Sequence, residues 1–457
     1  MKATFLPRLL FPATCILVAF FAARFVREPA KPLRLAESAT LTPIAILNRL
    51  PAADINSNTG KYLAAALLRT RSSPSDSKNW IESGDAFAQL YRESEETRYY
   101  DAAEAVYTEA LRLTPGNTKA LTGMAWVTGG RHQFDKSIEW GNQALTIDPE
   151  CVEALGILGD AALELGEYDM AFENYQKMMD LRPDLSSWSR GAHLLWVTGE
   201  THKAMSLMEQ AIRAGAPFAE NTAWCRIRMA TMLFHEGALP AAEDNIRPLL
   251  EAGSKNSHLL LLAARIASAK QDYPLAEKYY RTLLQFVPNQ QAYSGLGDLM
   301  TIGGKAEDAD KFYQTVESLH SAHVKDGVHD HGFMAKFLAD TDRNLVEALR
   351  MAEEHKLTKN VQEADTLAWV YYKNGMLPQA SAAMKRALIY NTPDPEMHYH
   401  AGMIASACGE LASAKKHLEQ ALAMNPNFSL VQAPLAVKAL QQLELRKSIS
   451  QTDPTIH

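Results

Sequence analysis

At 457 residues the chain exceeds what one compact core can organise, and with 47% apolar and 22% charged residues it has the make-up of a folded protein. A formal net charge of −7 and a pI near 6.1 supply no basic field, so nucleic acid is not an expected partner.

The N-terminus carries the first signal. Lys2 and Arg8 precede the apolar run Leu9–Ala23 (LLFPATCILVAFFAA), which stops at Arg24. A basic start, about 15 apolar residues and small residues at the end suit an export signal or a single membrane anchor over residues 1–26. The run is short beside the ~17–25 residues of an independent span. Phe21-Ala22-Ala23 places a bulky residue where signal cleavage prefers a small one, which favours an uncleaved anchor. Basic residues on both flanks leave the orientation undecided. Residues 27–58, which open on a stretch rich in proline and charge, read as a linker. Thr59–Arg71 then reads as a helix, and Ser72–Lys78 (SSPSDSK) as a polar break.

From there a small residue recurs at steps of 32 to 39 residues: Ala103, Ser137, Ala171, Ala204, Ala242, Ala276, Ala309, Ala348, Ala380 and Ala414. Other classes of position keep the same period. A second small residue stands at Ala125, Gly159, Ala192, Ala230, Ala264, Gly297, Ala368 and Gly402, where two helices that cross closely leave no room for bulk. A glycine at Gly166, Gly199, Gly237, Gly304, Gly375 and Gly409 suits the positive φ of a helix-ending turn. Prolines at Pro115, Pro149, Pro183, Pro288 and Pro426 stop the second helix of each pair. The unit Leu155, Leu158, Gly159, Gly166, Tyr168, Ala171, Tyr175 and Pro183 resembles the tetratricopeptide repeat (TPR).

That resemblance implies an all-α, right-handed superhelical solenoid of about ten helix-turn-helix units over residues 59–443. Leu430–Leu443 would be its C-terminal capping helix and residues 444–457 a disordered tail. Steps of 38 and 39 place insertions around Gly215–Asn221 and between Val316 and Val328. Cys151, Cys225 and Cys408 fall in separate units, so none is expected to pair, and each reads as a small buried apolar residue. Where Ser137 and Gly141 replace the usual alanine and aromatic, one interface is expected to be looser.

No phosphate-binding glycine loop, H-E-x-x-H or C-x-x-C motif is present, so no enzyme and no cofactor is expected. Histidines are the weak metal candidates: His329 and His331 lie in the second insertion with His320 and His323 nearby. His398 and His400 would diverge on a helix and should not share an ion.

A TPR array normally meets partners on its concave face. The corresponding positions hold Trp126, Arg190, His193, Trp196, Trp224, Arg228, Phe234, His235 and Arg265. Further on they hold Phe333, Phe337, Trp369, Tyr372, Tyr399, His400 and Met403. Aromatics with scattered arginine are the residue types that dominate interface energies, so an exposed aromatic groove for a protein partner is expected. The Lys and Asn pattern that grips chaperone C-termini is missing from the fifth and ninth places, which hold for example Thr122/Trp126 and Ser189/His193.

The segments RHQF (131–134), ENTAW (220–224), DTLAWVYYKNG (365–375) and HAGMI (400–404) resemble exported bacterial TPR proteins of mostly unassigned role. The resemblance implies a protein–protein interaction scaffold at the membrane or outside the cytoplasm. The alternatives are an adaptor for envelope polysaccharide or lipid assembly and a metal-handling protein using the insertion histidines.

Overall fold

The computed structural model describes residues 42–452, apart from 53–54, 95, 217–218, 326–330, 355 and 357. The apolar N-terminal run, most of the expected linker and His329 therefore lie outside the described residues. Among the described residues the regular elements are all α-helical, and the fold is an all-α superhelical solenoid. No helix among them is long and apolar enough to cross a membrane.

Two short departures mark the ends. Pro43–Arg49, in the stretch expected as linker, is a helix whose first turn is capped by the Thr42 hydroxyl. At the other end the helix Gln432–Thr452 continues past Leu443, where a tail was expected.

Ten helix pairs occupy the described residues between Ser77 and Met424. Ala103, Ala171, Ala204, Ala242, Ala276, Ala348, Ala380 and Ala414 are fully buried at the crossings, and Ala309 is nearly so. A side chain opposite leaves no space at the second small position. A Cβ on Gly159 would sit 2.3 Å from Tyr175, and one on Gly297 would sit 2.2 Å from Tyr313. The turn glycines Gly166, Gly199, Gly237, Gly304, Gly375 and Gly409 all have φ between 70° and 80°. Where a repeat lacks glycine, His132, Gln271 and Asp342 take the same left-handed turn with φ of 60°, 61° and 54°.

The interface expected to be loose is filled. Ser137 Oγ donates to the Ala125 carbonyl at 2.8 Å within the crossing, and Leu158 lies 2.9 Å from where a Cβ on Gly141 would stand. The described part of the second insertion is helical: Ala306–Lys325 runs to 20 residues and buries His320 and His323. Cys151, Cys225 and Cys408 form no disulfide with one another, and Cys408 is exposed rather than buried.

The described residues divide into two compact units, those up to 164 with 168–190, and 165–167 with those from 191 on. In the first unit a ring cluster joins Tyr91, Tyr100 and Trp126, with Tyr91 and Tyr100 centroids 3.8 Å apart. Arg131 binds both Asp101 and Glu104 there, tying a turn back to the preceding second helix.

The second unit contains contacts that a nearest-neighbour stack does not make. Its turn glycines lie against the loops that precede helices about 190 residues later. A Cβ on Gly166 would be 2.2 Å from Asn360 N, one on Gly199 2.3 Å from Tyr390 O, and one on Gly237 2.6 Å from Met424 O. Hydrogen bonds accompany these approaches. Thr392 Oγ1 donates to Val197 O at 2.6 Å, Asn425 Nδ2 donates to Phe234 O at 2.7 Å, and Lys359 pairs with Glu167 at 2.7 Å. Three successive turns thus meet three successive loops, and the second unit closes on itself.

Candidate functional site: the interior of the second unit

Closure changes the standing of the concave residues. Phe234, Trp196, Trp369 and Tyr399 retain only 2–3% of their surface, and His400 retains none. They are core, contrary to the open groove expected of them. Neighbours on their own helix, on adjacent first helices and in a following loop hold them. Trp196 meets His235 edge-on at 5.2 Å, and Trp369 stacks on His400 at 4.2 Å and on Tyr372 at 4.9 Å. The Trp369 indole N–H donates to Asp340 at 2.8 Å, while Tyr399 packs on Phe428 at 5.9 Å.

Arg190 is also buried, in the first unit, and it forks onto both oxygens of Asp160. The Tyr175 hydroxyl donates to the same carboxylate at 2.8 Å. Burial pushes Asp160 up to about 6 even against these partners. Such a pair is internal structure and offers nothing to a ligand. Trp126, Trp224, Arg228 and Tyr372 are half-buried. The Arg92 guanidinium covers the Trp126 ring at 5.7 Å and Arg228 covers Trp224 at 5.6 Å. Arg228 also reaches His193 at 2.7 Å, and burial together with this cation holds the imidazole well below its ordinary pKa.

The histidines separate as their helical spacing requires. His398 meets His417 at 3.1 Å between Nδ1 atoms, whereas His400 meets Asp365 at 3.0 Å. Burial disfavours the His400 imidazolium, but Asp365 outweighs it and the pKa rises. His331 bonds to Glu354 at 2.5 Å. Among the described residues no group of three histidine, cysteine or acidic side chains is arranged to hold a metal ion.

Among the described residues the closed unit contains a cavity of about 680 Å³. Its apolar walls include Phe333 and Phe337, stacked at 6.3 Å, while Tyr313 meets Phe337 edge-on at 5.6 Å. Its polar side holds Asp298, Lys336, Asp340, Glu396 and Gln432. Lys336 bridges Asp340 at 2.9 Å and Glu396 at 2.7 Å. Burial opposes the ammonium charge, but the two carboxylates hold its pKa above the usual value, and Lys336 in return keeps Glu396 low. Asp298 accepts from the Tyr313 hydroxyl at 2.8 Å. Burial pushes Asp298 up to about 7 against that bond, with Asp340 and Glu396 raising it further. Arg265 is exposed and lies over the Phe234 ring at 4.7 Å.

These polar residues escaped the sequence reading, although one was within reach. Asp298 follows Gly297 directly and so stands at the ninth place of its repeat, a groove position. Lys336 and Asp340 follow the longer second insertion, where the register slips by a residue. The turn at Asp342 precedes Ala348 by six positions, whereas Gly375 precedes Ala380 by five.

Helix pairs with small crossing residues, a left-handed turn and this period define a helical repeat protein. The tetratricopeptide repeat model matches residues 152–185 and 395–428. The chain contains tetratricopeptide repeats over these stretches. It is similar to tetratricopeptide repeat protein 33 of Xenopus laevis, 32% identical over 107 residues that make up 23% of this chain and 39% of that one. It is also similar to the small glutamine-rich tetratricopeptide repeat-containing protein 2 of Saccharomyces cerevisiae, 28% identical over 19% of this chain and 25% of that one. The chain thus spans well under half the length of these two relatives. Among solved structures, Pseudomonas aeruginosa pilF is matched at 18% identity and a TM-score of 0.35, over 46% of this chain and 90% of that one.

Proposed function

We propose that this protein is a non-enzymatic scaffold that binds a partner protein in the interior cavity of its second unit. TPR arrays generally serve as protein-interaction surfaces, and their inward-facing first helices supply the contacts. The observation that carries the reading is the 680 Å³ space left after the aromatic stripe has been consumed as core. It pairs aromatic walls with a few convergent polar groups, the make-up of a recognition site. We further propose that the scaffold works at or outside the cytoplasmic membrane, a reading supported by the apolar run Leu9–Ala23 between basic flanks.

A photo-crosslinking side chain at Ser294, which lines the cavity, tests the first part against one at Lys385, which is exposed on a second helix. A discrete protein adduct from position 294 and none from 385 is expected in cells. Adducts from 385 alone would move the binding surface elsewhere. For the second part, full-length chain should sediment with membranes while chain lacking residues 1–24 should not; equal distribution of both would remove the tether.

A further inference from the structure

The polar side of the cavity is unbalanced in one direction. Its lining sets four carboxylates, Asp298, Asp340, Asp342 and Glu396, against two cations, Lys336 and Arg265; Lys336 is shared between Asp340 and Glu396, and Arg265 lies over the Phe234 ring. Asp298 receives only the Tyr313 hydroxyl and has no cation bonded to it among the described residues. Gln432 is 6% exposed; its Nε2 donates to Asp340 Oδ1 at 2.7 Å, while its Oε1 has no donor. The shortage is therefore of donors and of positive charge. Leaving a buried acceptor without a donor is unfavourable, so something that supplies one is favoured there. The stacked Phe333 and Phe337 rings add apolar and π surface, which attracts cations and shelters methylene stems.

We infer that this cavity binds a basic ligand through an ammonium or guanidinium head on an aliphatic stem, with Asp298 as its counter-ion. Gln432 supplies a further acceptor and Phe333 with Phe337 holds the stem. A lysine or arginine side chain on a partner segment carries that chemistry, and so does a free polyamine; the first source rests on the scaffold reading above. The groups facing Asp298 are Tyr280, Tyr313, Lys336, Asp340 and Glu396. Both tyrosines stay neutral and Lys336 stays charged across the neutral range. Asp298, pushed up to about 7, is then the group that changes charge between pH 6 and 8. Ionised Asp298 binds the cation and protonated Asp298 does not.

Calorimetric titration of the full chain with spermidine, with a Gly-Gly-Lys-Gly-Gly peptide and with the same peptide acetylated on lysine tests this. Spermidine and the free-lysine peptide should bind at pH 8 and about tenfold more weakly at pH 6, and the acetylated peptide should not bind. Binding at pH 7, repeated in buffers of different ionisation enthalpy, should release a fraction of a proton. Asp298→Asn should abolish binding with an unchanged melting curve, since its amide oxygen can still accept from Tyr313. Gln432→Leu should weaken binding several-fold. Retained affinity in Asp298→Asn, equal binding of the acetylated peptide, absence of proton release, or preference for a Gly-Gly-Glu-Gly-Gly peptide overturns the inference. Spermidine binding without peptide binding upholds the cation site and sets aside the protein partner. A crosslinked protein at position 294 with no cation binding keeps the scaffold and removes the cation site.

Discussion

The two units are built from one repeat and yet are held together differently. In the first, the side-chain bond from Thr114 to Ser77 spans 37 residues and the buried pair Arg190–Asp160 spans 30. In the second, Thr392 reaches Val197 across 195 residues and Asn425 reaches Phe234 across 191. The first unit is a stack in which each pair supports its neighbours. The second adds a seam of turns on loops, and that seam turns an open aromatic stripe into a core around a cavity. A period of about 34 residues dictates the neighbour contacts of both units but does not by itself dictate a seam.

The largest test of the contrast lies in the tryptophans. Trp369→Ala should cost about 3–5 kcal/mol in denaturant unfolding, because it empties a core site and removes one of the donors to Asp340. Trp126→Ala in the first unit, half-buried at the edge of a ring cluster, should cost about 1–3 kcal/mol. Equal small effects would restore the open groove.

The seam itself is probed by turn glycines that share a conformation but not surroundings. Gly199→Ala meets a carbonyl at 2.3 Å in addition to its φ of 80°, and should cost about 3 kcal/mol. Gly375→Ala has a φ of 73° with open space around it, and should cost about 1 kcal/mol. Hydrogen exchange at residues 388–394 should rise in the first variant and stay unchanged in the second. A uniform penalty at both positions would mean that the seam adds nothing.

Acid should weaken the second unit early. Burial lowers His258 and His398 to about 4, so both are neutral in the fold while an unfolded histidine titrates near 6.5. Between those values the unfolded chain takes up more protons, so their contribution is complete above pH 6.5 and is lost as pH falls toward 4. Fluorescence-monitored unfolding at pH 7, 6 and 5 should show stability dropping by about 1–3 kcal/mol, and His398→Phe should flatten part of that slope. A slope of the opposite sign would show that these imidazoles are charged in the fold.

The smallest effect is a gain. Gln271 holds a left-handed φ of 61° where other repeats use glycine, so Gln271→Gly should raise the unfolding free energy slightly, by about 1 kcal/mol or less, seen in denaturant unfolding. His132→Gly in the first unit should behave alike, because this turn is local in both units. A difference between the two would tie the turn at 271 to contacts beyond its own repeat.

Much of the fold was legible because its determinants are short-range. Alanine at a crossing, glycine at a left-handed turn and proline after a helix each answer a constraint within one repeat, so they recur in register and can be read without coordinates. Tyr175 was legible as a recurring repeat residue, but that its ring covers Gly159 of its own pair came from the structure. The long second insertion was visible only as a number. That its residues lengthen a helix and bury His320 and His323 depends on what packs against that helix.

By itself the sequence determined the repeat, the pairing of helices and the kind of residue at each crossing, since these depend on contacts a few tens of residues apart. Which inward-facing side chains meet solvent was decided only by the tertiary structure. Small rotations between successive pairs add up along the array, and only their sum brings the turns at Gly166, Gly199 and Gly237 against the loops near Asn360, Tyr390 and Met424. That sum buried Trp369 and His400, and it left Asp298 and Gln432 at a cavity short of positive charge.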